Sequence, residues 1–247
     1  MEQRKKKKRK KKRPLLKLTL ILCTVAAVFF VMSLPYFDIK QITVEGNSLI
    51  GSTQIIEESE IKKGDNIFRL NKKQTKKMLA ENPYFESVKI SKKLPDKISI
   101  TVVERVPKAV LPYGDRYVVL NGEGVVMGLK DSNPKLTKIM GITIKTMDSG
   151  QKVVTGQQES FNSSLEMIAM AEKNDLFFKS VSIGEKGKTL LNVYDNLYVE
   201  GNLEQIKKQI ENGNLKGVLS DLYKKKIKRG TVLINGEKYC SFTPTFG

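Results

Sequence analysis

Ten consecutive basic residues at positions 4–13 are followed, within five residues, by a stretch at 18–34 that carries no charge. No other feature constrains the fold so strongly. Seventeen residues make about 26 Å of helix, and Lys17 can snorkel so that Leu15 and Leu16 extend the apolar length. A core helix would show a polar stripe, whereas this one scatters only Thr19, Cys23, Thr24 and Ser33. The pattern predicts one transmembrane helix over 15–34 behind a basic arm at 1–14. Residues 1–17 hold net charge +10 of the chain's +18, which predicts a cytoplasmic N-terminus with everything after Leu34 exported. A cleaved signal peptide fits less well, because the apolar run is too long and Val31-Met32-Ser33 makes a poor cleavage site. A nucleic-acid arm is not needed either: topology and contact with anionic lipid already account for the basic run.

Composition closes other doors. The 247-residue chain has no His, which removes the Ser-His-Asp and Cys-His catalytic arrangements and most zinc and iron sites. Its two cysteines are Cys23, inside the apolar stretch, and Cys240 near the end, so no disulfide is expected to hold the exported part. That part must rest on its own core.

The exported chain divides in two. Residues 37–106 read as β-α-α-β-β. Residues 39–45 are β-rich and end at the turn pair Gly46-Asn47, and Ser52 or Thr53 is placed to cap a short helix carrying Ile55 and Ile56. Asn71 stands three residues before Gln74, a capping-box variant, and Thr75, Met78 and Leu79 share a face of the helix that follows. Val88 and Ile90 alternate on one strand and Ile98, Ile100 and Val102 on the next, with a turn at Leu94-Pro95-Asp96. From about Lys108 to Pro244 the chain is a second α+β region with a mostly antiparallel sheet. Its strands are expected at 117–120, 125–126, 139–144, 176–183, 189–194, 196–200, 231–235 and 239–242. Ser160 opens one helix and Asn202 caps another, and Gly213 and Gly217 argue against a single long helix beyond it.

Two apparent chemical motifs dissolve on inspection. Residues 182–189 end in Gly-Lys-Thr like a P-loop. Ser stands where the first Gly belongs, however, and the alternation after Thr189 predicts a strand rather than the helix that would hold phosphate. A Gly-rich turn is the expected structure. Ser-x-x-Lys occurs at 59–62, 132–135 and 149–152 without the companion Ser-Asp-Asn or Lys-Thr-Gly motifs, as chance supplies in a chain this rich in Lys. No catalytic residue, metal ligand or cofactor site is expected.

The order β-α-α-β-β, with Val44-Glu45-Gly46-Asn47, Asn66-Ile67-Phe68, Asn82-Pro83-Tyr84-Phe85, Val88-Lys89-Ile90 and Leu94-Pro95-Asp96, resembles a POTRA domain. Preceded by one span and followed by a β-rich region, it resembles the FtsQ/DivIB family of bacterial cell-division proteins. The resemblance implies a non-catalytic, single-pass scaffold in the cell membrane, concentrated at the division septum of a Gram-positive-like bacterium. It would bind FtsL-like and FtsB/DivIC-like membrane proteins and thereby influence the septal peptidoglycan synthases. Nucleic acid is not among the implied partners. By position, the implied partner-binding residues are Leu233, Ile234, Gly236 and Phe242, although Leu and Ile stand where Arg and Tyr often occur in the family. Residues 231–234 would offer their outer backbone groups to a partner strand. Two other classes compete: a membrane-anchored cell-wall enzyme, which would need a clustered acid pair in a cleft, and a POTRA-bearing secretion or assembly component. The latter needs tandem units or a barrel, for which the chain has no room.

Overall fold

The computed structural model describes residues 14–236 and 240–245; the basic arm lies outside the described residues except for Pro14. Helix α1 (Pro14–Met32) occupies the apolar stretch, and every side chain from Leu16 to Val31 is exposed. Among the described residues no helix is long and apolar enough to cross a membrane.

The chain forms two compact units. One comprises the residues up to Leu79 with Ser87–Val103, the other Ala80–Glu86 with the described residues from Glu104 onward.

The first unit carries α1, then β1 (Gln41–Glu45), α2 (Ser52–Glu58), α3 (Lys72–Ala80), β2 (Phe85–Lys93) and β3 (Lys97–Glu104), in a three-stranded sheet of order β1-β3-β2. β1 runs parallel to β3, with Val44 opposite Ile100. β2 and β3 are adjacent and joined by three residues, too few for a parallel crossover, so they form the expected antiparallel hairpin. Ile98, Ile100 and Val102 are buried, as are Val88 and Ile90, and Ile55 and Leu79 close the core from the helices. Asn71 caps α3, its Oδ1 accepting from the Gln74 amide at 3.3 Å. The cap expected for α2 is different: Gly51 holds the capping position and Ser52 is already helical, its hydroxyl turned toward Asn47. Gly46 is required by geometry. Its φ is +85°, and a Cβ there would lie 2.2 Å from the Val102 carbonyl oxygen.

The second unit holds β4 (Pro107–Tyr113), β5 (Arg116–Asn121), β6 (Val126–Lys130), β7 (Thr137–Met140), β8 (Ile144–Thr146), β9 (Val154–Thr155), α4 (Gln158–Lys173), β10 (Ser180–Ile183), β11 (Lys188–Tyr194), β12 (Asn196–Asn202), α5 (Leu203–Glu211), α6 (Asn214–Lys224), β13 (Arg229–Ile234) and β14 (Cys240–Thr243). Nine strands make one sheet in the order β14-β13-β12-β11-β10-β7-β4-β5-β6, and β8 and β9 pair separately. Five of the eight neighbouring pairs are antiparallel and three parallel, so the sheet is mixed but mostly antiparallel. Its main core runs from Leu111 and Leu120 through Phe161, Val181 and Val199 to Val232 and Ile234, against buried side chains of α4, α5 and α6. Val110, Val119 and Met127 form a small cluster with Tyr84 and Tyr117. Tyr84 explains why Ala80–Glu86 groups with this unit: the Arg105 amide donates to its carbonyl at 2.8 Å, and the Arg105 guanidinium donates to the carbonyls of Pro83 and Phe85.

Candidate partner-binding edge

The outer strand of the large sheet is β14, and the site is built from it inward. β13 lies between two neighbours. It runs parallel to β12, with Leu233 opposite Glu200 and Ile234 opposite Gly201, and antiparallel to β14, with Val232 opposite Phe242 and Ile234 opposite Cys240. Residues 231–234 therefore have backbone ladders on both sides and cannot offer a template edge. The expectation for those residues is corrected. Their alternation shows which face is inward but not where the strand sits across the sheet. Among the described residues the open edge belongs to β14, and Pro244, which has no amide hydrogen, follows it directly.

The four residues singled out from the sequence fall in one small area but differ in what they expose. Ile234 is 2% exposed and belongs to the main core, so its side chain is not available to a partner. Leu233 is half-buried on the opposite face. Phe242 is half-buried and packs against the core; its ring passes over Gly230, where a Cβ would lie 2.5 Å from the ring. That close approach is why β13 needs glycine at 230, whose φ of +141° few other residues adopt. Gly236 has φ +117°, and its carbonyl accepts from the buried Gln209 amide of α5 at 3.5 Å, tying the turn after β13 to the helix layer. Pattern reading passed over Cys240 and Ser241. Both lie on the open strand, and only knowledge of the strand order marks them. Burial pushes the Cys240 thiol above its ordinary value, which keeps it in the protonated, unreactive form.

The features that suggested chemistry are accounted for by structure. Residues 182–189 span the end of β10, a four-residue connection at 184–187 and the start of β11, antiparallel strands paired Ile183 to Thr189, and Lys186 and Gly187 turn the connection with positive φ. The Gly-rich turn is what forms, with no helix following. Ser59 is buried at the end of α2, donating to the Ile56 carbonyl at 2.7 Å and accepting from the Ile61 amide, while Ser132 and Ser149 sit exposed in turns. Among the described residues no group of three or more His, Cys, Asp or Glu side chains is placed to hold a metal ion. Both cysteines are free.

Comparison with known proteins follows the same division. Residues 37–105 match the family described as POTRA domain, FtsQ-type. The chain is 40% identical over 124 residues to the cell division protein DivIB of Clostridium acetobutylicum, an alignment that covers 49% of this chain and 50% of that protein. It is 28% identical over 214 residues to the DivIB of Clostridium botulinum strain Hall, covering 83% of this chain and 81% of that one. The DivIB of Bacillus subtilis is 34% identical over 107 residues, or 40% of this chain and 41% of that protein. With the first of these relatives the chain aligns over about half of the relative's length.

Proposed function

We propose that this chain, whose residues 37–105 match the FtsQ-type POTRA domain and which is similar to proteins named DivIB, is a non-catalytic scaffold of FtsQ/DivIB type in the bacterial division machinery. It is anchored in the cell membrane by α1 and exported beyond it. Its partners are FtsL-like and FtsB/DivIC-like membrane proteins, and through them it acts on septal peptidoglycan synthesis. The observation that carries the reading is the similarity to relatives named for cell division, in a chain whose second sheet ends on an open strand. An open strand presents a row of unpaired N–H and C=O groups that an extended partner segment completes, with affinity from the main chain and selectivity from neighbouring side chains.

Membrane anchoring is supported by an apolar helix with no buried face and by the basic run before it. Lys17 brings the length within reach of a bilayer by snorkelling. Protease added to intact protoplasts should remove both exported units; full protection would contradict the orientation.

Pairing on β14 has a sharper test. In an antiparallel ladder adjacent residues alternate between inward and outward hydrogen bonding. Of Ser241→Pro and Phe242→Pro, one therefore removes a bond to β13 and the other a donor on the open side. Co-purification with the FtsB/DivIC-type partner should be abolished by the variant whose circular dichroism and melting stay closest to the parent. If both folded variants capture the partner as well as the parent, β14 is not the template.

A further inference from the structure

Helix α3 carries its charge where helix physics disfavours it. Its nine residues include Lys72, Lys73, Lys76 and Lys77 and no acid. Thr75 and Leu79 are buried and Met78 is half-buried, while all four lysines are exposed. At about 100° per residue the four lysines fill one continuous arc of the solvent face. Lys72 with Lys76 and Lys73 with Lys77 are pairs four residues apart. Their Cβ atoms lie about 5–6 Å from one another on a helix surface, and like charges at that spacing destabilise the helix. Lys72 and Lys73 also stand in the first turn, at the positive end of the helix dipole.

No carboxylate offsets that repulsion. Among the described residues none of the four lysines joins an ion pair. Elsewhere the chain follows the dipole. Helices α4 and α5 place Glu159 and Glu204 in their first turns, and Lys224 lies in the last turn of α6, where a cation is favoured. An anion along α3 would relieve both penalties, and its chemistry follows from what the face lacks. Helix α3 has no aromatic ring to cover the apolar face of a sugar, and no arginine to grip a carboxylate with two parallel bonds. No large apolar side chain stands exposed among the lysines as an anchor for a protein, and lysine is depleted at the cores of protein interfaces. Lysine does bind phosphate, as a compact point charge. Four such charges along about 7.5 Å of helix suit a flexible chain of repeated phosphates better than a single one.

We propose that the lysine face of α3 binds a linear phosphodiester polymer on the exported side of the membrane. The location rests on the reading that places the first unit outside; the binding chemistry does not. Contact with Lys72, Lys73, Lys76 and Lys77 releases counterions from the polymer, so binding weakens steeply with salt. The helix gives up some stability of its own for a surface that an anionic polymer completes.

The test uses the full chain in neutral detergent with poly(glycerol phosphate) as the probe. Lysine acetylation is read residue by residue by mass spectrometry, so that polymer on the basic arm does not enter. At low salt the polymer should slow Lys72, Lys73, Lys76 and Lys77 at least about threefold, and high salt should restore their rates. Lys224 and Lys225, exposed at the end of α6, should keep their rates throughout. Unchanged rates on α3, or equal slowing at Lys224 and Lys225, would overturn the site. Equal protection by polyglutamate would assign the face to carboxylate chains and overturn the phosphate polymer. The double variant Lys73→Gln with Lys77→Gln separates binding from folding. Without polymer it should melt no lower than the parent, and with polymer Lys72 and Lys76 should lose most of their protection. A lower melt would mean that the lysines serve the fold, which overturns the proposal. Full protection of the first unit from protease in intact protoplasts would overturn the exported location and not the phosphate chemistry.

Discussion

The two units treat their lysines in opposite ways. In the second unit Lys207 sits between Glu166 and Glu204, 3.3 Å from each, and Lys108, Lys188 and Lys216 likewise meet carboxylates. In the first unit Lys40 pairs with Asp96, while Lys92 reaches the Phe68 carbonyl and has the charge of Lys72 acting on it. Burial works against the charge of both Lys92 and Lys207. For Lys207 the two glutamates outweigh it and the value rises, whereas for Lys92 the second lysine adds to it and the value falls. The sheets differ in the same sense. Two of the three strands of the first are edges, while the second exposes only two edges in nine. One of those two, β6, is partly covered by the bonds of Val126 with Gln151 and Gly150. A unit that satisfies itself internally has few places left for a partner, and those few become specific. The difference favours the proposed pairing of a partner strand on β14.

The largest effect separates the two cores. Ile100 is fully buried, so Ile100→Asp leaves a carboxylate without a partner and should cost about 3–5 kcal/mol, enough to unfold the first unit. Amide exchange should lose protection in β1 to β3 and keep it in β10 to β12; loss in both would mean that the two sheets unfold together. Next come the two glycines of close approach. Gly46→Ala meets the Val102 backbone and should cost about 2–4 kcal/mol in the first unit. Gly230→Ala pushes Phe242 aside for about 1–3 kcal/mol and should raise exchange in β14 alone.

How much of this was legible in the sequence depended on how local the physics was. Asn71 and Asn202 cap helices as expected because the bonds are made within three residues: Asn71 to the Gln74 amide and Asn202 to the Glu204 amide at 3.0 Å. The hairpin at residues 121–125 was equally local, with Asn121 Oδ1 accepting from the Glu123 and Val125 amides. Gly213 does separate two helices, with φ +77°, but Gly217 lies within α6. Ser160 does not open α4, which starts at Gln158, where the side chain already accepts from the Thr155 amide. The expected strand over 176–183 shrinks to β10, and that over 139–144 breaks at Gly141, whose φ is +75°. β4 carries no local signal. It opens on Pro107, a residue that demotes a strand in any local reading, and its parallel neighbour β7 lies well along the chain. The open edge expected at 231–234 is overturned for the same reason: position along the chain points to Leu233 and Ile234, but only the order β14-β13-β12 shows that their backbone is already paired.

Smaller effects come from charge. Lys207→Gln removes two surface pairs and should lower stability by about 0.5–1 kcal/mol, whereas Lys92→Gln relieves repulsion and should not lower it. Alkaline titration should move the units in opposite directions. Lys92 binds its proton less tightly folded than unfolded, so the first unit gains stability as pH rises from the lowered value toward 10.5. Lys207 binds its proton more tightly folded, so its contribution is present below 10.5 and lost as pH rises through the raised value. Separate melts followed by exchange in β3 and in α5 would check the two signs.

The most direct measurement is amide exchange on the full chain, alone and co-purified with its membrane partners. Strand addition at β14 requires that, within residues 240–243, the amides on the open side become at least tenfold slower in the complex while those of β13, already paired on both sides, do not change. Protection appearing instead on β1 or β2, with 240–243 unaffected, would contradict a template on the last strand and move the partner to the first sheet.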